Sequence, residues 1–592
     1  MSDDVTQDFI FGTLATDDLR LASLHAEGRG LYHGNRISPA DPEPGQPVHV
    51  RVDAGTDVAA TAVSLFYTLD GESPTTTSPR IDLTVGASVW DTLLWGYRRE
   101  WHGALPAQAE GTLVRYQIAA TTLDGETVWA DVDQETGEPA SFAYHVDRER
   151  VPVWLREAVI YHVFVDRFSP GSGRAWNAAT SLDEIWGGTI RGVTEALPYL
   201  DELGVTCLWL SPVFPSPTHH GYDATDYFGV EPRLGTVEDL REFFAAAHAR
   251  GMRVLLDFVA NHVSDEHPAF RRAMTDPVAT ERNWFTFSEW PRGYRSFFGV
   301  SSMPRLAIDH AGAADYVIEA ARFWLEQGAD GFRLDYANGP SHGFWSRFRA
   351  ATRAAKPDSA TFGEVVETAE LQRSYLGRLD GTLDFLLLQQ LRSFFAFDAI
   401  PASTFDAFLA RHLDYFPADF VLPSFLDNHD MNRFLWVAGG DCRRLKLAAL
   451  CQFTLPHPPI IYYGTEVGLS QRRDLTYPDG SRRLEESRTL MPWGAAQDGD
   501  LLAYYRTLVA MRRARPTLWQ GERTILAADR DHLLAGLTDG RSRGLIAINR
   551  SSCPYRFDVP VGLSLAIATE SRDVGADGSM TLSAMSGAVL VS

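Results

Sequence analysis

An arginine and an aspartate share one short apolar stretch near the middle of the chain. Residues 331–335 read Gly-Phe-Arg-Leu-Asp, and the segment 329–337 lacks helical periodicity, which predicts a buried strand. Residues i and i+2 of a strand face the same side, so Arg333 and Asp335 point the same way. An adjacent arginine favours the ionised carboxylate, which could act as a nucleophile. A purely structural ion pair at a strand end is the competing interpretation.

Two more carboxylates follow predicted strands. Glu364 ends the apolar run that comes after the next predicted helix, and Asp430 follows a later run that contains Asp427. Carboxylates at the carboxyl ends of separate strands that alternate with helices are expected at the mouth of a parallel α/β barrel. Pairs of carboxylates held around one bond perform glycoside hydrolysis. The three residues therefore indicate a sugar-cleaving site.

The elements that must position these carboxylates alternate regularly along residues 149–515. We predict helices at residues 193–203, 237–250, 314–328, 445–452 and 501–515. We predict strands at residues 158–168, 205–214, 252–262, 330–337, 360–366, 381–388, 419–427 and 459–463. Eight strand–helix units predict an α/β fold, a (β/α)8 TIM barrel. Residues 263–312 break the alternation and are too long for an ordinary loop, so we interpret them as an inserted subdomain after the third strand.

Both flanks of the barrel are rich in strand signals. Residues 48–52 and 113–118 alternate between apolar and polar, and Asp70-Gly71 is a turn signal, which predicts an N-terminal β-sandwich over residues 1–148. Short alternating runs after Pro516 predict a C-terminal β-sandwich over residues 516–592. The N-terminal region is dense in aromatic residues, which could face a glucan or a partner or pack beneath a sheet: Trp90, Trp95, Tyr97 and Trp101.

Composition narrows the class of ligand. The 592 residues contain 54 Lys+Arg and 77 Asp+Glu, a net charge of −23, which disfavours nucleic acid and anionic membranes as partners. The four cysteines lack metal-ligand spacing, and Cys207 and Cys451 lie in apolar runs, so we expect buried thiols without a disulfide framework. Neither a basic and apolar leader nor a run of transmembrane length is visible, so we expect a cytoplasmic protein.

Four segments together resemble the ordered motifs of the α-amylase family, glycoside hydrolase family 13. They are Asp257-Phe-Val-Ala-Asn-His262, Gly331-Phe-Arg-Leu-Asp335, Gly363-Glu-Val365 and Phe425-Leu-Asp-Asn-His-Asp430. Each motif is weak alone, but four in this order are highly specific. The resemblance implies that Asp335 is the nucleophile, Glu364 the acid/base and Asp430 the carboxylate that holds sugar hydroxyls and stabilises the transition state.

The same resemblance implies a set of substrate-binding residues: Tyr222, His220, His262, Arg333, His429, Asp257 and Asn261. His262 and His429 would donate hydrogen bonds to sugar hydroxyls, and Tyr222 would stack on the same sugar. A retaining enzyme needs its two carboxyl groups about 5–5.5 Å apart, which adjacent barrel strands can provide. We expect Asp335 and Asp430 to raise the pKa of Glu364 while Arg333 keeps Asp335 ionised.

Flanking residues refine the resemblance. Residues 151–159, 166–168 and 303–306 are similar to those of cyclomaltodextrinases, neopullulanases and maltogenic amylases. These enzymes often dimerise through an N-terminal β-sandwich and cleave α-1,4 and sometimes α-1,6 links in short or cyclic α-glucans. We therefore expect a small cyclic or linear α-glucan substrate and a homodimer formed through the N-terminal domain.

Two departures from that subgroup put substrate preference in question. The nucleophile is followed by Tyr-Ala-Asn-Gly-Pro at residues 336–340, where the subgroup has Val-Ala-Asn-Glu, and residues 366–368 read Val-Glu-Thr in place of Trp-His-Asp. The first departure removes a carboxylate on the acceptor side of the scissile bond. A hydrolase of cyclic maltosyl-(1→6)-maltose is therefore a second candidate.

We expect no metal and no cofactor. The loop that binds calcium in many relatives corresponds to residues 169–177 and 187–189 and offers few anionic oxygens, whereas calcium takes six or more oxygen ligands. Within enzymes, the alternative is a transferring or isomerising relative such as a trehalose synthase or an α-glucosidase, which would share the same intermediate. Outside enzymes, the alternative is an inactive binding subunit, which typically loses the carboxylates that this chain retains.

Overall fold

The N-terminal region forms two antiparallel sheets that pack face to face. The computed structural model describes residues 17–133, 137–477, 481–570, 572–575 and 578–592. The first elements are α1 (Asp17–Arg29), β1 (Leu31–Tyr32), β2 (Ile37–Ser38), β3 (Val48–Ala54), β4 (Ala60–Thr68), β5 (Arg80–Asp82), β6 (Thr84–Asp91), β7 (Gly96–Leu105), β8 (Leu113–Thr122), β9 (Thr127–Trp129) and β10 (Phe142–His145). One sheet has the order β1-β3-β7-β6 with β2 on β3, and the other has the order β10-β8-β4-β5 with β9 on β8. Helix α1 was not predicted from the sequence.

The four aromatic residues that the sequence analysis named in this region divide between the core and the surface. Trp101 is buried among strand residues of both sheets, where the alternation of the strand places it. Trp95 and Tyr97 are 78% and 68% exposed, and Trp90 contacts both rings. The hairpin of β6 and β7 therefore carries an exposed aromatic patch, defined here as Trp90, Trp95 and Tyr97.

The middle of the chain is the barrel. Its elements are α2 (Val153–Arg156), β11 (Ile160–Val163), α3 (Val165–Phe168), α4 (Ile190–Glu195), α5 (Leu197–Leu203), β12 (Cys207–Leu210), α6 (Val237–His248), β13 (Arg253–Val259), α7 (Pro268–Thr275), α8 (Ala311–Gln327), β14 (Gly331–Asp335), α9 (His342–Ala355), β15 (Ala360–Gly363), α10 (Ala369–Ser374), β16 (Gly381–Thr382), α11 (Phe385–Phe395), α12 (Ala402–Tyr415), α13 (Phe434–Val437), α14 (Cys442–Phe453), β17 (Ile460–Tyr462), α15 (Gly499–Ala514) and α16 (Pro516–Trp519). Seven parallel strands have the order β16-β15-β14-β13-β12-β11-β17.

An extended segment occupies the eighth position and closes the barrel. Val421 pairs in parallel with Gly381 beside β16, and Ser424 pairs in parallel with Pro459 beside β17. The predicted (β/α)8 barrel is thus confirmed. Its strands are buried along nearly their whole length, which explains why they read as continuous apolar runs in the sequence.

Glycine permits the closest strand contact near the site. Gly331 begins β14 with φ 149°, and a Cβ at this position would lie 1.9 Å from the carbonyl oxygen of Ala360 on β15. Any side chain here would push apart the two strands that carry Asp335 and Glu364.

Several predicted strand boundaries were wrong, and two of them have a clear physical reason. The run 381–388 is a strand only as far as Thr382, because the side chain of Asp384 accepts the backbone N–H of Leu387 and begins α11. The run 158–168 is a strand only between Ile160 and Val163, and a short helix follows it. Buried helices and buried strands both read as short apolar runs, so periodicity could not separate them.

The remaining chain forms the insertion and the C-terminal sheets. Between β13 and α8, helix α7 and two 3-10 turns, Thr280–Trp284 and Phe297–Gly299, are joined to the barrel by short antiparallel pairings such as His262 with Arg305. The last strands are β18 (Glu522–Ala528), β19 (His532–Thr538), β20 (Arg543–Asn549), β21 (Tyr555–Asp558), β22 (Ser564–Ala568), β23 (Arg572–Val574), β24 (Ser579–Leu582) and β25 (Ser586–Val591). They form a five-stranded sheet, β18-β19-β20-β25-β22, and a three-stranded sheet, β21-β24-β23.

Cys207 and Cys451 are buried free thiols, as predicted. Among the residues that the structure describes, no helix combines the length and the apolar character needed to cross a bilayer.

Candidate active site

Strand register brings the polar residues of the motifs to one end of the barrel. Asp257 on β13 pairs with Arg333 on β14, and Val259 pairs with Asp335. The backbone N–H of Glu364 donates to the carbonyl of Leu334 at 2.8 Å, which places Glu364 directly beside the end of β14. Asp257, Asp335 and Glu364 therefore come from three consecutive strands and converge at their carboxyl ends.

Arg333 joins these three carboxylates. Its Nη1 donates to Asp257 Oδ1 at 2.8 Å and to Asp335 Oδ1 at 2.9 Å, while Nη2 lies 2.8 Å from Glu364 Oε2. The arginine side chain is fully buried. A planar guanidinium can hold several carboxylates in fixed directions, which a lysine ammonium cannot.

The pKa of Glu364 agrees with the expectation from the sequence, whereas the pKa of Asp335 does not. Burial raises the pKa of both carboxyls, and Arg333 opposes the rise in each. Glu364 raises the pKa of Asp335 further, and Asp430 raises that of Glu364. The pKa of Glu364 is therefore elevated, as expected. Arg333 does not single out Asp335 for ionisation, because it contacts both carboxylates and the pKa of Asp335 is also raised.

Asp430 has a different environment. Its Oδ1 accepts from Arg488 Nη2 at 2.8 Å, and its Oδ2 lies 2.9 Å from His429 Nε2. Although burial opposes ionisation, His429 and Arg488 hold the pKa of Asp430 below its usual range. Asp430 is thus the carboxylate most firmly held in the charged form.

A hydrogen-bonded aromatic wall connects Asp257 to Asp430. The hydroxyl of Tyr222 donates to Asp257 Oδ2 at 2.9 Å and lies 2.6 Å from His429 Nε2. The two rings stack with a centroid distance of 5.3 Å and an interplanar angle of 5°. Trp209, which the sequence did not identify, also donates to Asp257 Oδ2 at 3.0 Å. These contacts fix the ring of Tyr222 beside the carboxylates.

The carboxylates open into a cavity of about 180 Å³. Seven residues named from the sequence line it: Asp335, Glu364, Asp430, Tyr222, His220, His262 and His429. Arg333 and Asp257 lie next to it, through their contacts with Asp335 and Tyr222. Asn261 does not line it, and its side chain instead contacts His262 at 3.2 Å.

His220, in the loop after β12, and His262, in the loop after β13, are neutral at physiological pH. Burial lowers the pKa of His220 and of His262 to about 3. Within the described part of the chain, Nε2 of His262 is buried without a partner in good hydrogen-bond geometry, although the backbone of Tyr222 lies near enough to oppose the lowering of its pKa. A neutral imidazole in a cavity wall can bind a hydroxyl group.

Sequence reasoning did not assign several residues of the cavity wall: Arg488, Glu485, Leu484, Phe297 and Met303. Arg488 and its neighbours lie in the long loop after β17, and Phe297 and Met303 lie in the inserted segment. Met303 belongs to the segment 303–306 that resembles the subgroup, but that resemblance implied no role in the site, and the other four residues lie in segments without a motif. Tyr336 also lines the cavity, although its sequence attracted notice only as a departure from the subgroup.

A side chain at position 339 would meet Asn261. A Cβ at this position would lie 2.2 Å from Asn261 Oδ1. The glutamate that the subgroup places here would not fit without moving Asn261.

Backbone N–H groups hold the loop that corresponds to the calcium-binding loop of many relatives. The carboxylate of Asp166 accepts the backbone N–H groups of Trp186 and Gly187 at 2.9–3.1 Å. In the described ranges, no group of three or more His, Cys, Asp or Glu side chains is arranged to hold a metal ion.

Comparison with curated proteins gives several similar chains. Alpha-amylase 2 of Dictyoglomus thermophilum is 40% identical over 379 residues, which cover 64% of this chain and 66% of that protein. Neopullulanase 2 of Thermoactinomyces vulgaris is 34% identical over 438 residues, which cover 69% of this chain and 72% of that protein. The matched region thus spans about two thirds of the length of these relatives.

Solved structures of similar fold include two relevant enzymes. The ligand-free cyclic α-maltosyl-(1→6)-maltose hydrolase of Arthrobacter globiformis has a TM-score of 0.66 at 29% identity and covers 75% of this chain and 99% of its own. A cyclomaltodextrinase has a TM-score of 0.67 at 26% identity and covers 95% of this chain and 99% of its own. The family model for the α-amylase catalytic domain matches residues 162–500, which is more than half of the chain. The chain belongs to the α-amylase family of glycoside hydrolases.

Proposed function

We propose that this protein is a retaining α-glucoside hydrolase that cleaves α-1,4 links, and α-1,6 links where they occur, in short and cyclic maltooligosaccharides. One observation carries the proposal: Asp335 and Glu364 contact the two terminal nitrogens of one buried guanidinium at the wall of a small cavity. Two carboxyl groups held side by side around one bond are what double displacement requires.

In the first step, the charged carboxylate of Asp335 attacks the anomeric carbon and forms a glycosyl ester. The contact with Arg333 at 2.9 Å opposes the effect of burial on the pKa of Asp335 and favours this charged form. Glu364 donates its proton to the departing glycosidic oxygen, so the leaving sugar departs as a neutral alcohol. The raised pKa of Glu364 supports this role, because the acid must carry its proton near neutral pH. As Asp335 takes up the glycosyl group, Arg333 retains its contacts with Asp257 and Glu364 and remains in place.

In the second step, Glu364 removes a proton from water, and the resulting hydroxide attacks the anomeric carbon and releases Asp335. Two inversions at one carbon retain the α configuration. Asp430 stays ionised throughout, because His429 and Arg488 hold its charge, and it binds sugar hydroxyls and stabilises the positive charge of the transition state. A sugar acceptor in place of water would give transfer, which is the alternative outcome of the same intermediate.

The walls of the cavity suit a sugar ring. Phe297, Met303 and Leu484 form apolar sides around the carboxylates, and such sides pack against the apolar face of a sugar. The similarity to enzymes named neopullulanase and cyclomaltodextrinase supports the proposed substrate class. The similarity to the cyclic maltosyl-maltose hydrolase, together with the altered residues 336–340, favours that cyclic tetrasaccharide as a second candidate substrate.

A product profile tests the proposal. The protein is incubated separately with a cyclodextrin, pullulan, maltotetraose and cyclic maltosyl-maltose, with Glu364→Gln as the inactive reference. The anomer released first is identified by proton NMR. We expect the α anomer first and turnover of at least one cyclic substrate. Release of the β anomer first, or no difference from the reference on any substrate, would disprove the proposal.

The aromatic patch supports a homodimer formed through the N-terminal sheets. Trp90, Trp95 and Tyr97 present a cluster of exposed rings, and exposed apolar clusters commonly mark association surfaces. The subgroup that the flanking residues resemble implies association through an N-terminal β-sandwich, so a second copy of this chain is the partner we propose.

A further inference from the structure

Tyr336 follows the proposed nucleophile directly and has an unusual backbone. Its φ is 41°, in the left-handed region, where side chains other than glycine are strained. The next residues hold it there. The backbone N–H of Ala337 donates to the carbonyl of Glu364 at 2.9 Å, and the carbonyl of Ala337 accepts from Trp345 Nε1 at 2.8 Å.

The left-handed conformation directs the amide of Tyr336 at the proposed acid/base. Its backbone N–H donates to Glu364 Oε2 at 3.1 Å. The same oxygen lies 2.8 Å from Arg333 Nη2. A hydrogen bond donated to a carboxylate favours the ionised form, and the amide therefore lowers the pKa of Glu364 against the effect of burial.

The ring of Tyr336 belongs to a second cluster. It contacts Phe297 and Phe298 of the inserted segment edge to face, with centroid distances of 4.9 Å and 5.4 Å. Phe297 in turn stacks on His262 at 4.4 Å. Tyr336, Phe297 and His262 all line the cavity. The three rings thus form a continuous wall from the loop after β14, which begins with Tyr336, to the loop after β13, which contains His262.

We propose that Tyr336 is a positioning residue with two separable functions. Its backbone amide holds the carboxyl group of Glu364 through a direct hydrogen bond, and its ring, together with Phe297, forms the wall against which the leaving or accepting sugar stacks. This inference rests on the proposed function, since it assigns the acceptor side of the same site. An aromatic face is a general recognition surface for the apolar face of a sugar ring.

Three substitutions separate the two functions. Tyr336→Phe keeps the ring and is the matched control. Tyr336→Gly removes the ring and tolerates a positive φ, so the amide can stay on Glu364. Tyr336→Val removes the ring and disfavours a positive φ, because its side chain is β-branched. The difference between the Val and Gly variants therefore isolates the backbone amide, and the difference between the Gly and Phe variants isolates the ring.

Two kinetic measurements test the two functions: the dependence of kcat/KM on pH and the ratio of transfer to hydrolysis. Loss of the amide raises the pKa of Glu364, so we expect the basic limb of kcat/KM against pH to move up by about 1 pH unit in Tyr336→Val relative to Tyr336→Gly. We expect Tyr336→Gly to keep the basic limb of the Phe control but to lose roughly fivefold in the ratio of transfer to hydrolysis at fixed acceptor concentration. Identical basic limbs in the Val and Gly variants would overturn the amide function, and identical transfer ratios in the Gly and Phe variants would overturn the ring function.

A direct titration separates this inference from the proposed function. The pKa of Glu364 is measured by carbon NMR of protein labelled at the glutamate carboxyl carbon, with Glu364→Gln identifying the signal. A higher pKa of Glu364 in Tyr336→Val than in Tyr336→Gly supports the amide function. This holds even if every variant is inactive on every α-glucoside. Such inactivity would disprove the hydrolase proposal but not the amide function. If Tyr336→Val fails to fold, Tyr336→Ala takes its place in both experiments.

Discussion

Arg333 contacts Asp335 at 2.9 Å through Nη1 and Glu364 at 2.8 Å through Nη2, so one fully buried side chain fixes the relative position of both carboxylates. Its remaining contact, with Asp257, ties the pair to the neighbouring strand. The geometry of the site thus depends on a residue that need not touch the reacting bond.

We expect Arg333→Lys to lower kcat by at least about a hundredfold, because a single ammonium cannot hold three carboxylates in fixed directions. The same change should lower the free energy of unfolding by about 3 kcal/mol, since the ammonium keeps the charge but leaves buried carboxylate oxygens without their hydrogen-bond donors. Enzyme kinetics and urea denaturation measure the two effects. Arg322→Lys is the control, because Arg322 is 44% exposed and pairs with Glu319 at the protein surface. An active and stable Arg333→Lys protein would contradict the assigned role.

We expect Glu364→Gln to lower kcat on natural α-glucosides by about 10³-fold, because the leaving oxygen is no longer protonated. The loss should be much smaller for an aryl glucoside whose leaving group needs no proton. Steady-state kinetics on both substrate types make the comparison. Glu370→Gln, an exposed carboxylate on the following helix, should change neither rate. Equal losses on the two substrates would argue against Glu364 as the acid.

His33 should make stability sensitive to acid. It is fully buried, its Nδ1 lies 2.7 Å from the carbonyl of Arg51, its Nε2 lies 2.9 Å from the hydroxyl of Tyr116, and burial lowers its pKa to about 3. A lowered folded pKa means that its contribution is complete above the unfolded pKa of about 6.5 and is lost as the pH falls from there toward 3. Between pH 6.5 and pH 5 the loss is on the order of 2 kcal/mol.

The variant His33→Gln cannot be protonated and isolates this effect. We expect it to be less stable than the wild type at pH 7 but to lose less stability on acidification to pH 5. Calorimetry at both pH values compares the two proteins, and the other buried histidines contribute equally to each. Parallel losses in wild type and variant would show that His33 is not the group responsible.

The sequence was sufficient to predict the barrel and the positions of the carboxylates, because short segments of the chain carry the signals for both. Asp335 and Glu364 end apolar runs on adjacent strands, and parallel strands in one sheet necessarily bring their carboxyl ends together. The family membership is confirmed by the comparisons, whereas the individual roles of the carboxylates, the domain boundaries and the homodimer remain predictions.

The features that could not be predicted depend on contacts between distant segments. Arg488 reaches Asp430 from a loop without a motif, and Phe297 reaches Tyr336 from the insertion. The raised pKa of Asp335 depends on burial and on the nearby Glu364, which Arg333 only partly offsets, and these effects require the side-chain positions on two strands. The short strand before α11 was misread because Asp384 caps a helix within an apolar run.

The aromatic patch gives a test of the homodimer. We expect wild-type protein to be dimeric by light scattering, and Trp95→Ser with Tyr97→Ser to shift it to monomer, because both rings are largely exposed in the single chain. Val278→Ser is the control, since Val278 is 87% exposed and lies in the insertion. A wild-type monomer at working concentration would remove this role for the patch, and retarded migration in gels that contain starch would then assign it to glucan binding.

Substitution of Gly339 tests whether the fold itself excludes a side chain at this position on the acceptor side of the scissile bond. A Cβ on Gly339 would lie 2.2 Å from Asn261 Oδ1, so even Gly339→Ala must displace Asn261, which contacts His262 in the cavity wall. We expect Gly339→Ala to raise KM severalfold and to lower the free energy of unfolding by about 1–3 kcal/mol. Gly499→Ala is the matched control, because a Cβ there meets nothing within 4 Å. Gly339→Glu, which supplies the carboxylate of the subgroup, should be less active still. Gain of activity on pullulan in Gly339→Glu would instead show that the missing carboxylate, and not the steric limit imposed by Asn261, sets the substrate preference.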